Sequence, residues 1–145
     1  MDSKQELWQK ALSKMNQEGD FRAAVLSLED GLPLASSPAH YEDDKAAAMV
    51  TLLNGTAKRI NQQLRLPHMD EISIVCDDRT RLVCRYFTVD GHELLLMVLA
   101  PADQSYRRLT FRTIKEIRRI WLSRRADDSI KKSTGNDLHR KGKRA

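Results

Sequence analysis

Nothing in this chain is apolar for long enough to cross a membrane, since no run approaches the ~20 residues a transmembrane helix needs. The first residues, Met1 to Glu6, are polar and mixed in charge, so no secretory leader is expected. Proline and glycine are sparse, at four and six residues, which excludes low-complexity and collagen-like classes. Cysteine is nearly absent too. Cys76 and Cys84 are too few for a disulfide-stapled fold, and with no histidine near them they make a poor zinc site. They fall on consecutive predicted strands. If that hairpin pairs Cys76 with Arg81 across the Asp77-Asp78-Arg79-Thr80 turn, Cys84 lies opposite Ser73, so no disulfide is expected. Both are read as free, buried thiols of a cytoplasmic protein.

Patterns that carry chemistry are missing as well. His40, His68, His92 and His139 are scattered with no ligand spacing, so no metal is expected. Glu42, Asp43 and Asp44 read as acidic charge at a helix N-terminus, and Asp77 and Asp78 as turn residues. Ser36 and Ser37 lack the setting of a nucleophile elbow. No glycine loop could cradle a phosphate. No catalytic, cofactor-binding or metal-binding residue is assigned, no cofactor is expected, and the chain is not read as an enzyme.

Net charge is one-sided only at the C-terminal end. Residues 1–123 hold equal numbers of basic and acidic groups. Residues 124–145 hold eight basic groups against three acidic ones, which is the whole excess of +5. The division expected is one domain over 1–123 and a basic, disordered tail over 124–145. Such a tail would make only weak, non-specific contact with an anionic membrane or nucleic acid.

What the chain does have is hairpin signals between apolar runs. Phe21 to Ser36 reads FRAAVLSLEDGLPLAS, with Asp30-Gly31 at the turn and Pro33 marking an edge strand. Asp90-Gly91 repeats the signal between Arg81–Val89 and His92–Leu99. Leu94 to Leu99 is apolar at every position, which demands a central strand covered on both faces. Ile72 to Cys76 supplies a fifth strand. Ser3 and Glu6 form a capping-box pattern ahead of a helix over 4–17. A long helix runs from about Glu42 to Leu66, with Lys58, Arg59 and Arg65 near its end and Pro67 beyond. A last helix spans Tyr106 to Arg124, with an apolar stripe at Leu109, Thr113, Ile117 and Ile120 or Trp121. The order α-β-β-α-β-β-β-α predicts an α+β sandwich. Its five-stranded antiparallel sheet would carry the long helix on one face and the two terminal helices on the other.

That order, with AVLSLEDGLPLAS at 24–36, the helix at 42–66, DEISIVCDD at 70–78 and RLVCRYFTVDGHELLLMVLAP at 81–101, resembles the roadblock/dynein light chain family. The likeness covers about residues 5–123 and rests on order and spacing, not on an invariant catalytic signature. It implies the profilin-like roadblock fold and a homodimer whose sheets join edge to edge, with the long helices packed across the two-fold axis. Members serve as platforms for small Ras-like GTPases. A bacterial subgroup similar to the gliding-motility regulator stimulates hydrolysis by repositioning the GTPase's own residues, without an arginine finger.

Two surfaces are candidates for contact. Met49, Val50, Leu53, Ala57, Ile60 and Leu64 form one stripe of the long helix and are read as core. Ala48, Leu52, Gly55, Thr56 and Arg59 then face away. Gly55 costs about 0.8–1.0 kcal/mol against alanine mid-helix, and close approach of a second helix would account for it; a tolerated surface glycine is the alternative. Given the resemblance, Leu52, Gly55, Thr56 and Arg59, with Ile72 and Ile74 on an edge strand, form the candidate dimer interface. An apolar edge strand is independently a liability unless paired. Arg108, Arg112, Lys115 and Arg119 make one face of the last helix basic, with Glu116 the only acid expected nearby. This is either a solvated face or a site for an anionic partner.

The reading that follows is a homodimeric domain that binds and regulates, by stimulation, a small Ras-like GTPase. A scaffold subunit of a signalling or motor complex, without effect on hydrolysis, is the alternative. An adaptor that uses its basic tail on anionic membrane or nucleic acid is the third.

Overall fold

A computed structural model describes residues 2–123; Met1 and the basic segment 124–145, with the tail expected there, lie outside the described residues. The chain runs α1 (Lys4–Gly19), β1 (Ala23–Leu28), β2 (Pro33–Ser37), α2 (Asp43–Leu64), β3 (Glu71–Val75), β4 (Arg81–Val89), β5 (His92–Ala100) and α3 (Arg107–Leu122). This is the expected order. The strands form one antiparallel sheet, β2-β1-β5-β4-β3, with β5 at its centre.

β5 takes the centre because every residue from Leu94 to Val98 needs cover. Leu94, Leu96 and Val98 point to the α1/α3 side, and Leu95 and Met97 to the α2 side. On the first side Trp8, Leu12, Met15, Ile117, Ile120 and Trp121 close a dense layer. The Trp8 indole N–H donates to the Ile117 carbonyl at 3.2 Å, and Lys4 Nζ donates to the Trp121 carbonyl at 2.6 Å. These contacts fix α1 antiparallel to α3. The capping box at Ser3 and Glu6 is formed.

α2 meets the sheet differently from expectation. Its buried residues are Ala46, Val50, Asn54 and Ala57, with Leu53 half-buried. Met49, Ile60 and Leu64, expected in the core, are exposed. The cause is a polar clamp. Asn54 Nδ2 donates to the Glu29 carbonyl at 3.2 Å, and Lys58 lies 3.8 Å from the Glu29 carboxylate; Thr51 Oγ1 donates to the Ala47 carbonyl at 2.9 Å and sits 3.4 Å from the Asp30 carbonyl. The part-buried Glu29 carbonyl takes its partner from Asn54, so the side of α2 carrying Asn54 and Lys58 turns toward the β1–β2 turn. The helix also ends at Leu64 with Arg65 left-handed, so its last turn carries no basic residue.

The β3–β4 turn differs by one residue. Arg79 is left-handed (φ 74°) and the Cys76 amide donates to the Thr80 carbonyl at 2.8 Å, closing a three-residue loop. Val75, not Cys76, therefore faces Arg81, and Cys84 lies opposite Ile72, not Ser73. Cys76 is exposed, contrary to expectation, while Cys84 is buried; both are free.

The two Asp-Gly turns are not equivalent. A Cβ on Gly31 (φ +93°) would sit 2.8 Å from Thr51 Oγ1 and 2.9 Å from the Ala47 carbonyl, whereas one on Gly91 (φ +78°) meets nothing within 4 Å. Gly91→Ala should cost about 1 kcal/mol, the left-handed penalty alone. Gly31→Ala should cost on the order of 2–3 kcal/mol because it also pries the turn from α2. Urea-unfolding midpoints of the two variants check this order.

Candidate interaction surface

The outer face of α2 is where the sequence places it. Ala48, Leu52, Gly55, Thr56 and Arg59 are all exposed, Leu52 at 60%. A Cβ at Gly55 would meet no atom within 4 Å, so packing within the chain does not require glycine there. Met49, Ile60 and Leu64 add exposed apolar surface along the same helix. Beneath its first half α2 leaves a groove of about 340 Å³ against the sheet, lined by Tyr41, Met49, Leu82, Met97 and others.

β3 borders the same side. Among the described residues it pairs only with β4, leaving its other edge open there. Ile72 faces α2 beside Cys84 and is half-buried there; Ile74, next to Leu82 on the same face, is 47% exposed. Val75 is exposed as well. The proposed set Leu52, Gly55, Thr56, Arg59, Ile72 and Ile74 thus lies on one side of the molecule.

Glu71 anchors this edge, which sequence reasoning missed. Its Oε2 accepts from Tyr106 Oη at 2.6 Å and Ser73 Oγ at 2.7 Å, and its Oε1 lies 3.8 Å from Arg85 Nε. Burial works to raise its pKa, but the Tyr106 and Ser73 hydrogen bonds, with Arg107 and Arg85 nearby, hold the carboxyl below its usual value. Tyr106 itself is buried under the Arg81 and Arg107 guanidinium groups. No periodicity could have revealed a bond between residues 35 apart in sequence.

The basic residues lie on the opposite side of the sheet. Arg108, Arg112, Lys115 and Arg119 are exposed along one face of α3. Glu116 binds Arg119 through two nitrogens, at 2.6 and 2.9 Å. It is not the only acid there, because Glu18 of α1 pairs with Arg112. Lys115 sits 5.0 Å over the Phe111 ring. Arg118, by contrast, turns to the sheet and donates to the Thr88 carbonyl at 3.1 Å. The structure therefore keeps the two candidate surfaces apart.

Among the described residues no three of His, Cys, Asp and Glu converge as metal ligands. Burial pushes the Cys84 thiol up to about 12, which leaves it protonated and inert at neutral pH. No helix among the described residues is long and apolar enough to cross a membrane.

No family model matches the chain, and no curated protein matches it in sequence. Its backbone does match solved structures. The gliding protein MglB of Thermus thermophilus superposes with a TM-score of 0.63 at 20% identity, over 83% of this chain and 92% of that one. The chain has the roadblock fold. The roadblock/LC7 domain from Streptomyces avermitilis matches at 0.61 and 20% identity, over 79% of this chain and 98% of that one. An MglB structure in a tetrameric arrangement matches at 0.60 and 20% identity, over 83% and 91%. At such identities the likeness speaks for the fold alone.

The Glu71 anchor generates a pH-dependent prediction. Its folded pKa is lowered, so the stability it contributes is present above the unfolded carboxylate pKa and is lost as pH falls through the folded one. Tyr106→Phe should therefore cost about 1–2 kcal/mol near neutral pH, and the gap to the parent should close below the carboxylate range. Denaturation of both proteins across that pH range measures it.

Proposed function

We propose that this domain forms a homodimer through α2 and β3 and, as a dimer, binds and regulates a small Ras-like GTPase without chemistry of its own. One observation carries the reading: exposed apolar residues of α2 and the open edge of β3 lie on the same side of a roadblock fold. A second copy placed on a two-fold axis beside β3 would pair edge with edge and complete the sheet hydrogen bonding that β3 lacks. The same operation lays Leu52, Gly55, Thr56 and Arg59 against their equivalents, where Gly55 permits close helix approach. MglB in a tetrameric arrangement supports self-association as a habit of this fold. The GTPase would supply the nucleotide and the reacting groups. Cytoplasmic placement suits the two free thiols.

Ile74→Asp and Leu52→Arg test the dimer, since each puts a charge in the contact while altering an exposed side chain. Sedimentation at micromolar concentration should show a dimer for the parent, and each variant should weaken association about thirtyfold or more. A monomeric parent would sink the proposal. Turnover of a candidate Ras-like GTPase should rise with the parent and not with the variants. Binding that leaves turnover unchanged would instead support the scaffold role.

A further inference from the structure

We propose that the groove between α1 and α3 docks an acidic amphipathic helix of a partner protein. This site lies across the sheet from α2 and β3 and does not depend on the dimer. The two antiparallel helices leave on their solvent side a groove of about 510 Å³. It follows α1 from Leu7 to Glu18, about three turns or 17 Å. That is the footprint of a helix of about a dozen residues.

The lining has an apolar floor and a cationic rim. Leu7, Ala11, Met15 and Ile120 form the floor, and the small Ala11 side chain leaves room above it. Lys10, Lys14, Arg112, Lys115 and Arg119 stand around it, against Glu18 and Glu116, with Lys10 also paired to Asp2. Charge over residues 1–123 is balanced, so this excess is local. Most of the acids that offset it are elsewhere, many at the α2 N-terminus and in the β turns.

The rim pairs Glu18–Arg112 and Glu116–Arg119 are solvent-exposed, with the arginine side chains 58% and 70% accessible. Exposed pairs of this kind are worth only ~0–1 kcal/mol, so a partner's carboxylates can displace them at little cost. An apolar floor between two cationic walls is complementary to a helix with leucines on one face and glutamates on its flanks. The chain's own 124–145 segment carries net positive charge and has the wrong sign. Nucleic acid finds no aromatic lining the groove on which bases could stack. A flat bilayer would meet the rim without reaching the recessed floor.

The test uses fluorescence anisotropy with a labelled helical peptide of about 18 residues, leucine on one face and glutamate elsewhere. Its counterpart carries lysine for glutamate. The full chain should bind the acidic peptide, more weakly as salt rises, and not the basic one. Lys14→Glu with Lys115→Glu alters two exposed side chains and should weaken binding about tenfold or more. Ala11→Trp fills the groove without changing charge and should weaken it similarly, with circular dichroism confirming the fold. Equal binding of the two peptides would overturn the proposal. So would unchanged affinity in either variant, or preference for phosphatidylglycerol vesicles over the peptide.

Discussion

Burial of β5 on both faces is the constraint from which the rest of this architecture follows. Five consecutive apolar side chains, Leu94 to Val98, cannot be hidden by one layer. Alternation sends three toward α1 and α3 and two toward α2, so helices are required on both sides. The strand with most to bury on both faces gains most from the centre of the sheet. β1 and β4 supply the flanks, and the less demanding β2 and β3 are left outside.

The two layers close in different ways. Between α1, α3 and the sheet, closure is apolar and continuous, with the Trp8 and Trp121 rings 5.8 Å apart at its end. α2 presents small residues, Ala46, Val50 and Ala57, and is held at the β1–β2 turn by Thr51, Asn54 and Lys58. A helix that buries its alanines while exposing Met49, Leu52, Ile60 and Leu64 leaves apolar area uncovered. Those four side chains would together contribute several kcal/mol if a partner covered them, at about 25 cal/mol per Å². The weaker layer is thus the one with the most to gain from association.

The sequence showed the fold more fully than it showed the surfaces. Asp30-Gly31, Asp90-Gly91 and the run from Leu94 are local signals, and local signals set element order and the central strand. The rotation of α2 was hidden because periodicity favours Met49, Ile60 and Leu64 as core, while the decision lies with Asn54 and the distant Glu29 carbonyl. The one-residue slip at Cys76 was hidden because Arg79, not a glycine, takes the left-handed position. Outward placement of Leu52, Gly55, Thr56 and Arg59 survived the rotation, since their face opposes both the expected and the observed buried stripe. The α1 side of the basic groove needed the tertiary structure. Glu18 and Arg112 are 94 residues apart, and only the antiparallel packing of α1 on α3 brings them together.

Separation of the two surfaces has a consequence for assembly. The sheet lies between the α2/β3 side and the α1/α3 groove, so occupying one does not obstruct the other. A dimer built on β3 would carry two such grooves, one on each subunit, both on the layer away from α2. A partner with two acidic helices could then engage both at once, and the second contact would be intramolecular. Exposed ion pairs of low individual worth would suit that arrangement, because each groove could release and recapture a helix while the pair held. Modest affinity at each groove and strong retention by two are therefore compatible in one small domain.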